Sequence, residues 1–130
     1  MKKARVLIAD DHEEMRGYIV VLLSTDYEVV GVVTNGEELV QAAICLHPDI
    51  IVSDISMPRM DGFAARIKLI DQGKPFPFVF VSVRGKEIIH MLPKASSVGL
   101  VYKSEMARHL FHALDAVLKG QIYLSPFYHE

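Results

Sequence analysis

Two hydrophobic periods alternate along the chain. Short, almost unbroken apolar runs stand at residues 6–9, 29–33, 50–52, 78–83 and 100–102. They are brief and rich in β-branched residues, as strands covered on both faces of a parallel sheet are. Helical spacing fills the intervals. Met15, Ile19, Leu22 and Leu23 share one face, and Leu39, Ala42, Ala43 and Leu46 another. Phe63, Ile67 and Ile70 give a third, and Leu110, Leu114, Val117 and Leu118 a fourth.

The punctuation agrees. Asn35 followed by Glu38 reads as a capping box opening the second helix. Pro48 takes the residue before it out of helix ahead of the third strand. Gly73 and Gly120 stand where helices end, and Ser104 is an N-cap for the last helix. The fourth unit is the weakest: residues 86–92 give two turns before Pro93, so a short or distorted helix and an irregular stretch over 94–98 are expected. Strand and helix repeated five times predict an α/β, doubly wound, five-stranded parallel sheet. The flavodoxin-like order 2-1-3-4-5 follows, with helices on both faces.

In such sheets ligands bind beyond the carboxyl ends of the strands. Strand 1 runs out into Asp10 and Asp11, strand 3 into Asp54, strand 4 into Ser82 and strand 5 into Lys103. Taken singly, each has an ordinary explanation: an aspartate as turn residue, Asp11 with Glu14 as an N-terminal cap, a solvated lysine, a serine filling a strand. Together they are harder to dismiss. Strands 1 and 3 are neighbours in the proposed order, so three carboxylates converge on one crevice and repel unless one is protonated or a cation is present. A hard, oxygen-rich site with few protein ligands suits Mg²⁺. A carboxylate beside Mg²⁺, a hydroxyl and an ammonium is equipped for phosphoryl transfer through an aspartyl phosphate. No glycine-rich nucleotide cradle accompanies it.

Composition narrows the class. At 130 residues, 51% hydrophobic and 23% charged, the chain is one domain of ordinary size. Its single cysteine, Cys45, excludes an internal disulfide framework and reads as a small apolar residue on a helix face. The net charge of −2 argues against direct nucleic-acid binding. It sums two unlike parts: residues 1–83 carry 8 basic and 12 acidic side chains, residues 84–130 carry 6 and 4. No apolar run is long enough for a signal-peptide core or a membrane span, and a cytoplasmic location is expected. The histidines form no metal pattern; His109 and His112 lack further ligands, and His12 reads as a surface residue of the first turn.

The stretches IADDH (8–12) and SDISMPRMDG (53–62), with Ser82 and the YKS around Lys103, resemble the receiver domain of two-component response regulators. The resemblance runs from about Ala4 to Gly120. It implies Asp54 as phosphoacceptor, and Asp10, Asp11, the Asp54 carboxylate and the Ser56 carbonyl as Mg²⁺ ligands. Ser82 and Lys103 would contact the phosphoryl group, and Pro58 and Gly62 would shape the loop after strand 3. Residues 112–126 resemble the end of receivers of the NarL/FixJ group, which usually continue into a LuxR-type helix-turn-helix domain. The expected division is a receiver over 1–125 and the start of a linker or tail over 126–130, with a removed output domain favoured over a stand-alone receiver. A sensor histidine kinase, a homodimer formed on activation and the protein's own DNA-binding output domain are the implied partners.

Three departures stand out. Leu100 occupies a position commonly aromatic in the family, while Tyr102, on the same face, is expected to pack against the last helix. Val83 is bulkier than the residue usually found after the strand-4 hydroxyl, and with Arg84 it could tune phosphoryl lifetime. The interval from Ser82 to Lys103 is about one residue short. Two other readings stay open: a degenerate receiver acting as a phosphorylation-independent interaction module, and a Mg²⁺-dependent phosphatase. By the receiver reading the chain is no metabolic enzyme and only catalyses its own phosphorylation and dephosphorylation.

Overall fold

The structure, a computed structural model, describes residues 2–92 and 97–129. Strands β1 (Arg5–Ala9), β2 (Glu28–Val33), β3 (Ile50–Asp54), β4 (Phe78–Ser82) and β5 (Val98–Tyr102) alternate with helices α1 (Glu13–Leu23), α2 (Gly36–Leu46), α3 (Gly62–Asp71) and α4 (Met106–Leu118). The interval between β4 and β5 carries a 3-10 segment, Lys86–Met91, where the short or distorted helix was expected. Residues 94–96 of the expected irregular stretch lie outside the described residues, and Val98 already belongs to β5.

The five strands pair in parallel in the order β2-β1-β3-β4-β5, as the apolar runs predict. A sixth, β6 (Tyr123–Leu124), extends the sheet beyond β5, with Leu100 opposite Leu124. Two residues are too few to register as an apolar run, so a five-stranded sheet was expected where six strands form.

Alternation along the strands divides the core between two layers. Val6, Ile8, Val52, Val79, Val81 and Val101 face α1 and α4; Leu7, Ala9, Ile51, Phe78, Phe80 and Leu100 face α2 and α3. Phe80 takes Phe63 of α3 edge-on at 4.8 Å. β1, β3 and β4 are covered on both faces, whereas β2 is the sheet edge and exposes Val32.

The caps follow the sequence at most ends. Asn35 Oδ1 accepts the Glu38 amide, although the Glu38 carboxylate reaches back to Thr34 rather than to Asn35. His47 leaves α2 in the left-handed region just before Pro48. Gly73 and Gly120 have φ of 74° and 83°. Elsewhere the reading needs correction. Ser104 caps nothing: it lies inside a 3-10 turn, Lys103–Glu105, that leads into α4. α1 starts after His12 with no side-chain cap, so Asp11 is free for another role. α3 buries Phe63, Ala65, Arg66 and Leu69 and leaves Ile67 and Ile70 largely exposed. Of the expected face only Phe63 is buried, because the arginine that completes it carries no apolar signal. Cys45 is exposed on α2. No helix among the described residues is long and apolar enough to cross a membrane.

Candidate functional site

Because β1 and β3 pair in register, with Ala9 opposite Ser53, the residues that follow them leave the sheet side by side. Asp10 is fully buried and Asp54 nearly so. Lys103, immediately after β5, reaches across: its Nζ lies 3.4 Å from Asp54 Oδ2 and 3.8 Å from Asp10 Oδ2. Asp11 is more exposed at the rim. Asp10, Asp11, Asp54 and His12 each offer a ligand atom within 4.8 Å of the others.

Local backbone bonds hold the carboxylates in place. Asp10 Oδ1 accepts the His12 amide at 2.8 Å, and Asp54 Oδ1 accepts the Ile55 amide at 2.7 Å. One oxygen of each is thereby oriented and the other is directed to Lys103. The loop after β3 is pinned by Gly62, whose amide donates to the Ile55 carbonyl. A Cβ at Gly62 would stand 2.3 Å from the Asp54 carbonyl oxygen, so a side chain there displaces the backbone of the acidic residue itself. Ser56 lies exposed in that loop.

Burial raises the Asp54 pKa above the ordinary carboxylate range. Lys103 opposes this, the Asp10 charge adds to it, and hydrogen bonds from Ile55 and Lys103 favour the ionised form. One lysine thus serves two buried carboxylates, and among the described residues Asp10 Oδ2 accepts no hydrogen bond. A buried carboxylate oxygen without a donor, in a cluster of hard oxygen ligands, is what a divalent cation satisfies. The residues therefore fit Mg²⁺.

Ser82, at the end of β4, is buried, and Asp54 pairs with Val81 beside it. Its Oγ accepts the Arg84 amide at 2.8 Å. Arg84 is half-buried, and Val83 is 66% exposed. All the strand-end residues singled out from the sequence thus lie at one end of the sheet.

Three participants were missed. His12 is exposed at the start of α1, as expected, but its Nδ1 also lies 3.3 Å from Asp10 Oδ1, 3.1 Å from Asp11 Oδ1 and 3.9 Å from Asp54 Oδ2. Its place directly after the acidic pair was the available signal. Arg16 donates to the Asp10 carbonyl from the next turn of α1. Tyr128, buried in the 3-10 turn Pro126–Tyr128, donates its hydroxyl to the Arg84 carbonyl at 2.9 Å. Tyr102 is corrected as well: it stacks on Phe127 at 3.8 Å, not on the last helix.

The family model described as response regulator receiver domain matches residues 6–115. The chain is 32% identical over 127 residues to the transcriptional regulatory protein YdfI of Bacillus subtilis, covering 94% of this chain and 58% of that protein. Over 84 residues it is 45% identical to a protein-glutamate methylesterase/protein-glutamine glutaminase of Carboxydothermus hydrogenoformans, covering 63% of this chain and 23% of that one. The chain therefore spans about three fifths of the first of these relatives and less than a quarter of the second. Among solved structures, the signal receiver domain of NarL from Mycobacterium tuberculosis superposes with a TM-score of 0.84 at 23% identity, covering 93% of this chain and all of that one.

Proposed function

The chain belongs to the response regulator receiver family, and from that premise we propose that Asp54 accepts a phosphoryl group from a sensor histidine kinase and so switches a regulatory surface. A carboxylate oxygen of Asp54 attacks phosphorus as the P–N bond of the phosphohistidine breaks. The imidazole leaves with the electron pair and the phosphoryl group stays on Asp54 as an acyl phosphate. The observation that carries this reading is the Lys103 ammonium 3.4 Å from the carboxylate of Asp54, in a cluster of acidic groups. Asp54 has one oxygen anchored by the Ile55 amide, leaving Oδ2 toward Lys103 as the attacking atom. Lys103 then neutralises charge on the transferred group, and Ser82 donates to a phosphoryl oxygen. Asp10, Asp11, Asp54 and the Ser56 carbonyl would hold Mg²⁺, which supplies charge neutralisation to the phosphoryl oxygens. The same groups serve dephosphorylation, the only other catalysis proposed.

In the intact protein the switched surface controls a DNA-binding output domain in the cytoplasm, through a homodimer formed on phosphorylation. The YdfI match favours this output over methylesterase activity, because it extends over 94% of the chain rather than 63%.

Incubation with Mg²⁺ and acetyl phosphate, followed by intact mass measurement, tests the reading. The expected result is one base-labile phosphoryl adduct, absent from Asp54→Ala. No adduct from either acetyl phosphate or a kinase leaves a phosphorylation-independent interaction module. Rapid turnover of phosphate monoesters points to a phosphatase.

A further inference from the structure

The C-terminal segment is bonded into the body of the domain at almost every residue. Ser125, fully buried, donates its amide to the Leu100 carbonyl and accepts the Tyr102 amide on its hydroxyl, each at 2.9 Å. The Phe127 amide donates to Glu105 Oε1, and its ring lies flat on Tyr102. Lys86 Nζ donates to the His129 carbonyl at 3.1 Å. Within this strap Tyr128 is 1% exposed, edge-on to both Tyr102 and Phe127.

Its phenol ends at the loop that carries Ser82. The Arg84 peptide is held from both sides: its amide donates to Ser82 Oγ, and its carbonyl accepts the Tyr128 hydroxyl. Burial raises the Tyr128 pKa. A serine hydroxyl has one proton to donate. Its oxygen already accepts the Arg84 amide, so turning the hydroxyl toward an acceptor on Asp54 disturbs that bond.

We propose that Tyr128 is a positioning residue for Ser82, and that phosphorylation of Asp54 releases the strap over residues 123–129. The proposal rests on Asp54 being the phosphoacceptor. A phosphoryl oxygen on Asp54 offers the Ser82 hydroxyl a charged acceptor. As Ser82 turns toward it, the Arg84 amide loses its acceptor geometry and the loop moves off the Tyr128 hydroxyl. A buried phenol stripped of its partners is unstable in place, and the strap opens. The segment that leads out of the domain thereby senses the state of Asp54 directly.

Hydrogen–deuterium exchange of the peptide covering 123–129, in the whole chain with and without Mg²⁺ and acetyl phosphate, reads the release. Intact mass from the same samples reads the adduct. In the wild type, exchange is expected to quicken about three- to tenfold on phosphorylation, the factor one hydrogen bond supports, with no change in Asp54→Ala. Tyr128→Phe keeps the ring and removes only the oxygen. Its strap should exchange fast before phosphorylation and no faster after it. Its adduct should form about three- to tenfold faster than in the wild type, because Arg84, which holds Ser82, is no longer tied to the strap. An adduct on the wild type with strap exchange unchanged overturns the proposal and leaves the phosphoacceptor reading standing. So does wild-type adduct kinetics in Tyr128→Phe. No adduct at all overturns both, and the mass spectrum tells the two failures apart.

Discussion

Removing the Lys103 charge isolates what holds two buried carboxylates together. The lysine side chain is 14% exposed, Asp54 7% and Asp10 0%, so this is an interior triad and not a surface ion pair. At an effective dielectric of about 20, unit charges 3.4 Å apart attract by about 5 kcal/mol and those 3.8 Å apart by about 4 kcal/mol. The lysine's own desolvation offsets much of this, and removing one partner of a buried pair costs about 3–5 kcal/mol. Lys103→Met, close in volume, should lose that amount at pH 7. In a domain of this size the loss lowers Tm by roughly 12–20 °C. Adding Asp54→Asn to Lys103→Met should recover part of it, because one stranded charge disappears with its partner.

The pH dependence follows from the raised pKa of Asp54. A carboxyl whose pKa is higher folded than unfolded disfavours folding where it is ionised. Its penalty is complete above the folded pKa and absent below the ordinary value of 3.8. Lys103 pulls the Asp54 pKa down, so Lys103→Met pushes it further up. The Asp54 share of the deficit should therefore shrink as pH falls through that raised value. Thermal melts followed by circular dichroism between pH 4 and pH 8 measure this. A Lys103→Met protein as stable as the wild type at pH 7 without Mg²⁺, or one whose deficit grows on acidification, refutes the electrostatic account.

Two further outcomes are expected. At a free concentration about a hundred times its Kd, Mg²⁺ should stabilise the wild type by about 2.7 kcal/mol, and a thermal shift series should show most of that rise lost in Asp10→Asn. Gly62→Ala forces a methyl against the Asp54 carbonyl oxygen; it should cost about 2–3 kcal/mol in urea unfolding at an unchanged slope and slow formation of the Asp54 adduct.

What could be read in advance divides along a physical line. Parallel strands need continuous apolar runs, and a strand's end is marked by its first charged residue, so Asp10, Asp54 and Lys103 were identifiable as strand-end groups before any geometry was known. Register then does the rest: Ala9 opposite Ser53 and Asp54 opposite Val81 put those residues at one end of the sheet. Helix faces were less legible where a polar residue is buried. Arg66 packs inward on α3 beside the expected Phe63, while Ile67 and Ile70 are exposed, which a period counted on apolar residues does not foresee. The cap at Ser104 failed for a related reason, since the chain tightens into a 3-10 turn and delays α4 until Met106.

Tyr128 lies beyond any periodic signal because its role comes from long-range pairing. Residues 123–124 join the sheet only through β5, and the bond from the Tyr128 hydroxyl spans 44 residues to Arg84. The local sequence of the tail, a proline followed by two aromatics, is equally consistent with a hydrophobic plug. What distinguishes a plug from a sensor is where the polar atom of the aromatic ends. Here it ends on the residue whose amide donates to Ser82, so packing and hydrogen bonding are separable by one oxygen atom. Tyr128→Phe preserves the stack with Phe127 and the edge contact with Tyr102 and removes that oxygen alone. For that reason the tail's contribution to phosphoryl chemistry can be measured apart from its contribution to the core.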